Sequence, residues 1–175
     1  MPGYGDRTDT APVPLVGRPP DQVAYVVPDL EEGVQRLGRR LGVSRWIGWR
    51  YTAAYLPRRI FRGQAGDFES HGVIAEYGPS LEIIAPLSGR SVFTEFLDAH
   101  GPGLHHLGYF VSSLAEERDR LISQGLAEVQ YGGGHGMDGD GQISFFEMID
   151  GAASYLELIE PPSRRYPPHF EILVD

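Results

Sequence analysis

The chain predicts an α+β fold in which two βαβββ modules curl around a shared cleft, and three observations carry that prediction. Gln22-Val-Ala-Tyr-Val-Val27 returns as His106-Leu-Gly-Tyr-Phe-Val111, and residues 22–37 share six of sixteen positions with residues 106–121. The copies also end alike, with Leu81-Glu-Ile-Ile-Ala-Pro86 echoed by Leu156-Glu-Leu-Ile-Glu-Pro161. Between these motifs, each copy reads as a strand, a helix and then three strands. One such unit has an apolar sheet face that it cannot bury alone, so two must combine.

Residues 1–20 are rich in Pro, Gly, Thr and Asp without a period and read as a flexible arm. A first module with its connecting helix spans 21–100, a second spans 101–162, and 163–175 form a tail. Gln22–Val27 is β-branched and aromatic, hence a strand, and Pro28 ends it. Asp29 can cap a helix whose apolar positions Leu30, Val34, Leu37 and Leu41 keep helical spacing up to Gly42. Trp46–Tyr55 and Asp67–Tyr77 read as strands joined by an Arg-rich loop around Pro57–Gly66, and Ser80–Pro86 reads as the third strand after the Gly78-Pro79 turn.

Ser91–His100 is a short helix capped by Ser91. The second copy opens with the turn Gly101-Pro102-Gly103 and the strand Leu104–Val111, followed by a helix over Ser113–Gln124 that Gly125 ends. Glu128–Tyr131 reads as a strand entering a Gly-rich loop, Gly132–Gly141. Gln142–Ile149 and Ser154–Glu160 form a hairpin across Asp150-Gly151, a dipeptide that favours tight hairpin turns. Phe170–Val174 is a candidate strand in the tail.

Composition excludes several chemistries. Without cysteine there are no disulfides, thiolate nucleophiles, thiolate zinc sites or iron–sulfur clusters, so six His and the carboxylates must supply any metal ligands. Every basic residue is Arg, which removes Lys-based Schiff-base chemistry. A net charge of −9 argues against nucleic-acid binding, and no apolar run is long enough to span a membrane. A cytoplasmic protein is expected. Eight Arg lie between Arg36 and Arg62; a solvated helix face plus basic loop is the plainer use of them, and a rim for an anionic substrate the sharper one. Aromatic Trp46, Trp49, Tyr51 and Tyr55 serve the core or line a pocket.

The chemistry concentrates at equivalent positions of the copies. Gln22 and His106 occupy the same place in the two first strands, and Glu82 and Glu157 the same place in the two last strands. Glu82 lies opposite Leu81 and Ile83, and Glu157 opposite Leu156 and Leu158; a carboxylate planted there is costly unless a cation meets it. Two such carboxylates invite one shared cation. His105, next to His106 on a strand, is expected to face the other way and to pack or hydrogen-bond there. His71, Glu76 and Glu147 are expected at solvated sheet positions. Gly132–Gly141, with His135, Met137, Asp138 and Asp140, is a candidate lid. It does not fit a calcium loop, because Ile149 stands where the closing Glu belongs.

Gln22-Val-Ala-Tyr-Val-Val-Pro-Asp-Leu30, Glu-Ile-Ile-Ala-Pro (82–86), Gly-Pro-Gly-Leu-His-His-Leu (101–107) and Tyr-Leu-Glu-Leu-Ile-Glu-Pro (155–161) resemble, in order and duplication, the vicinal oxygen chelate superfamily. That superfamily includes glyoxalase I, methylmalonyl-CoA epimerase, extradiol dioxygenases and bleomycin-resistance proteins. The resemblance implies an incomplete eight-stranded barrel, a cup around a divalent metal held here by Gln22, Glu82, His106 and Glu157. The flanking sequence is similar to the epimerase branch, and the ligand identities to eukaryotic-type glyoxalase I. Zn, Ni, Co, Mn and Mg all suit such O/N ligands. The implied activity is that of an isomerase or lyase moving a proton beside a carbonyl through a metal-stabilised enediolate or enolate, with Glu157 first and Glu82 second as bases. A small-molecule substrate, anionic as a carboxylate or coenzyme A ester, and a homodimer are expected. A non-catalytic binding or resistance protein is the alternative. An iron(II) extradiol dioxygenase fits less well, since it needs two His and a carboxylate.

Overall fold

A computed structural model describes residues 15–76, 78–148 and 154–175. The first half runs β1 (Gln22–Val26), α1 (Leu30–Leu41), β2 (Arg45–Tyr51), β3 (Arg58–Phe61), β4 (Gln64–Ala65), β5 (Glu69–Ala75) and β6 (Ser80–Ser88). After α2 (Val92–His100), the second half runs β7 (Gly103–Phe110), α3 (Leu114–Ser123), β8 (Glu128–His135), β9 (Gly141–Glu147) and β10 (Tyr155–Glu160), and the tail adds β11 (Phe170–Leu173).

The two first strands are antiparallel neighbours at the centre of one sheet. Each is also parallel to the last strand of its own half, β1 to β6 and β7 to β10. The order β2-β5-β6-β1-β7-β10-β9-β8 makes the expected eight-stranded, curved and unclosed cup. Beyond it, β11 extends the β2 edge and the β3–β4 hairpin extends the β8 edge.

Local chemistry sets the helices. The Asp29 side chain accepts from the Glu32 N–H, and Gly42 closes α1 at φ 71°. A capping box of Ser91 and Thr94 starts α2, and Ser113 caps α3. The outer face of the first half packs Trp46, Val73, Ile83 and Ala85 under Leu30 and Val34 of α1. The outer face of the second half packs Phe146, Leu156 and Leu158 under Leu114 and Leu121 of α3. On the concave side, Val92, Phe93 and Phe96 of α2 pack with Val26, Ile84, Val129 and Phe145, forming a floor.

Three expectations change. The Arg-rich stretch after Pro57 is a hairpin that crosses to the other half, with Arg58 opposite Gly133 and Ile60 opposite Tyr131. The Gly-rich stretch is strand as far as His135, because ladders to β3 and β9 on its two sides override weak strand propensity. At Gly132 a Cβ would sit 2.7 Å from Leu56 Cδ2, so the absence of a side chain lets the crossing segment dock. Leu15 and Val16, expected within the arm, pack against the α3 core, and Leu15 O accepts from Arg120. Residues 1–14, Tyr77 and the Asp150-Gly151 turn lie outside the described residues.

Candidate functional site

The four residues singled out by the repeat stand on the four central strands: Glu82 on β6, Gln22 on β1, His106 on β7 and Glu157 on β10. Two cross-strand rows hold them. Glu82, Ala24 and His106 are register partners in one row, and Gln22, Gly108 and Glu157 in the next. Ala24 and Gly108 are themselves equivalent in the repeat, and their small size opens the space between the ligand-type side chains. A Cβ on Gly108 would lie 2.7 Å from Gln22 Oε1.

Glu82, His106 and Glu157 each offer an atom within 4.8 Å of the others, and all three are buried. His106 Nε2 lies 3.3 Å from Glu82 Oε2 and 3.1 Å from Glu157 Oε2. It forms no directed hydrogen bond with either, and the buried Gln22 Oε1 also has no partner among the described residues. Burial works against a proton on His106, yet the two carboxylates outweigh it and lift the ring to about 9. Burial raises the Glu157 carboxyl, His106 opposes that, and Glu82 adds to it. Two acids, one imidazole and an orphaned amide oxygen are the donor set of a hard or borderline divalent cation, whose charge the two carboxylates would neutralise.

His105 departs from strand alternation. The β1–β7 register runs Ala24 to His106 and then Tyr25 to Leu104, leaving His105 as the extra residue of a bulge. The bulge turns both histidines to the concave side, where His105 packs on Phe93, Phe96 and Tyr155. Its Nε2 is 3.3 Å from Val92 O and its Nδ1 is 2.9 Å from His106 Nδ1. A carbonyl only accepts, so Nε2 carries the His105 proton. Burial first, and then His106, hold His105 well below its ordinary 6.5, so it is neutral and its Nδ1 is an acceptor. His106 must therefore donate from Nδ1, which leaves Nε2 as the atom offered to a cation.

Above this floor opens a cavity of about 560 Å³, walled by Trp49, Tyr51, Tyr55, Phe68 and Phe145. Trp46 belongs to the outer core instead. His135 lines the cup and stacks on Tyr55. Glu76 lines the mouth, whereas Glu147 pairs with Arg62 and His71 faces Phe170. None of the eight arginines from Arg36 to Arg62 lines the cavity: Arg45 pairs with Glu171, Arg62 with Glu95 and Glu147, and Arg59 donates to Phe68 O. They are therefore no rim to the cup. The β8–β9 turn, weighed as a lid or a solvent loop, is tied to the tail through Asp138 to Arg164 and Asp140 to Ser163. Sequence reasoning missed Ala24 and Gly108, although their equivalence was visible in the repeat. It missed Arg165 as well, which lines the cavity from the tail.

A paired-module cup with a buried Glu–His–Glu cluster on its central strands defines a class of small α+β domains. The chain belongs to the Glyoxalase/Bleomycin resistance protein/Dioxygenase superfamily, whose family model matches residues 21–145. It is similar to methylmalonyl-CoA epimerase from Mycobacterium tuberculosis, at 25% identity over 82% of this chain and 88% of that one, with a TM-score of 0.52. Hypothetical protein BH1468 from Bacillus halodurans C-125 shares the fold at 17% identity, over 84% of this chain and 96% of that one, with a TM-score of 0.57. The uncharacterized protein YqjC of Bacillus subtilis (strain 168) is 29% identical over 89 residues, which span 51% of this chain and 63% of that protein. No helix among the described residues is long and apolar enough to cross a membrane.

Proposed function

We propose that this chain is a divalent-metal-dependent isomerase or lyase, epimerase-like or glyoxalase I-like, that moves a proton next to a carbonyl. The observation that carries the proposal is the convergence of Glu82, His106 and Glu157 within 4.8 Å at the floor of the cup. With Gln22 they would hold Zn, Ni, Co, Mn or Mg, which would supply Lewis acidity to two neighbouring substrate oxygens. Glu157 and Glu82 reach the site from equivalent strands of the two halves. An acid/base pair so placed takes a proton from one side of a carbon and returns it to the other. A glutamate would have to leave the cation to act as base, with Glu157 first and Glu82 second in that role. Aromatic walls turn water away from the carbon being deprotonated. The same walls favour a second reading, a non-catalytic small-molecule binding or resistance protein. The iron oxygenase reading loses further ground, because His105 is committed to Val92 and His106 and supplies no second imidazole.

Metal analysis of protein purified without chelator, and again after adding Zn, Ni, Co and Mn, tests this. One ion per chain is expected, falling in Glu157→Gln. The loaded protein is then incubated in D₂O with methylmalonyl-CoA and a panel of oxygenated carbonyl compounds, and solvent exchange at the carbon beside the carbonyl is followed. Absence of a stoichiometric ion under every condition sinks the enzyme; a bound ion without exchange on any compound supports the binding protein.

A further inference from the structure

We propose that Arg165 is the anchor for a terminal carboxylate of the substrate, so that this cup takes a small acid with its oxygenated end on the floor and its carboxylate at the mouth. The assignment rests on the metal-dependent reading above.

The tail is built as a strap. It leaves β10 through Pro161 and Pro162, which line the cavity, and ends as β11 on the far edge strand β2. Along the way it is tied at both sides. Arg164 O accepts from Met137 N at 2.9 Å, Tyr166 O from Trp49 Nε1 at 3.1 Å, and His169 Nδ1 from Arg50 N at 3.0 Å. These ties fix where residue 165 stands.

Arg165 is the only Lys or Arg among the described residues that line the cavity. Arg164 beside it is engaged with Asp138, whereas no hydrogen bond or ion pair to Arg165 is formed among the described residues; its guanidinium carbon lies 6.0 Å from the Phe110 ring centroid, across the mouth. Arg165 lines the same cavity of about 560 Å³ as Glu82 and Glu157, a volume that one small molecule fills. His135 is held neutral, by burial and then by Arg165 itself, and adds no second cation.

Charge balance selects the ligand. A divalent cation on two glutamates is neutral, so the floor gives an anionic substrate no net attraction, and its charge must be met elsewhere. One guanidinium matches one carboxylate in a two-pronged hydrogen bond. A phosphate dianion would be undercompensated by a single guanidinium.

The test uses full-length zinc-loaded protein and hydroxamates, which chelate a metal through neighbouring oxygens. Binding of the monohydroxamates of malonate, succinate and glutarate is compared with that of acetohydroxamate and of neutral hydroxamates of equal chain length. Wild type, Arg165→Gln and, as a control for unit charge, Arg36→Gln are measured. At one chain length the charged tail is expected to tighten binding about tenfold in wild type and Arg36→Gln, but not in Arg165→Gln. That gain should shrink as salt is raised. Unchanged affinity of Arg165→Gln for the neutral hydroxamates shows that the cup is intact. A charged-tail gain that survives in Arg165→Gln, or no gain at any length while neutral hydroxamates bind, overturns the assignment. Failure of every hydroxamate overturns the metal reading itself, and the assignment with it.

Discussion

Loading a cation onto this site must expel a proton, and the structure says how strongly that shapes the affinity. His106 is lifted to about 9, so at pH 7 about 99% of the metal-free protein carries the Nε2 proton that a metal ion would displace. Apparent affinity at pH 7 should therefore be roughly a hundredfold below its plateau, rising about tenfold per pH unit up to about pH 9. Between pH 6 and 8 the expected gain is about a hundredfold, with about one proton released per ion. The raised Glu157 carboxyl acts in the same direction. Calorimetric titration of Zn or Co in buffers of different ionisation enthalpy measures affinity and proton count together. Glu82→Gln removes one of the two carboxylates beside His106, so it should weaken binding and flatten the pH slope. The linked effect on stability has the opposite sense. The folded value lies above the ordinary 6.5, so His106 stabilises the metal-free fold fully below about pH 6.5, and that contribution is lost as pH rises through about 9. Affinity independent of pH, with no proton released, would show that His106 is not held between two carboxylates and would refute the reasoning.

Gly108→Ala puts a methyl group 2.7 Å from Gln22 Oε1 and 3.2 Å from Ile159 Cδ1. Denaturant melts should show a loss of about 1–3 kcal/mol, and metal titration a weaker site, because Gln22 must swing away; no change in either would mean that Gln22 has room to spare. His105→Phe keeps a ring against Phe93 and Phe96 but removes the acceptor for His106 Nδ1, and should weaken metal binding about 10–100-fold. His105→Asn restores an acceptor near that position and should recover part of the loss, with ¹⁵N shifts of the His106 ring reporting Nδ1 protonation throughout. Equal metal affinity in wild type and His105→Phe would leave His105 a packing residue.

Much of the site was legible because it is written twice. A carboxylate between two apolar residues is conspicuous once, and at Glu82 and Glu157 it becomes a pattern, which the cup then brings to one point with His106. The helix starts at Asp29, Ser91 and Ser113 were equally readable, since a cap depends on a few neighbouring residues. The errors share a different cause. Alternation turned His105 away from the site, but a bulge is a property of register between strands far apart in sequence. Arg58–Phe61 and Gly132–His135 make weak strands alone and good ones together, so neither could be assigned from its own residues.

The sequence by itself determined the duplicated α+β architecture, the equivalence of Gln22 with His106 and of Glu82 with Glu157, and the exclusion of thiolate and lysine chemistry. These depend on residue identity, local capping and periodicity, which a linear chain displays openly. The tertiary structure alone decided that both histidines face the cup, that Ala24 and Gly108 make room between the ligand-type side chains, and that Arg165, not the basic cluster, lines the cavity. Those outcomes turn on strand register and on where a tail lands, and both are settled by the free energy of packing the whole sheet.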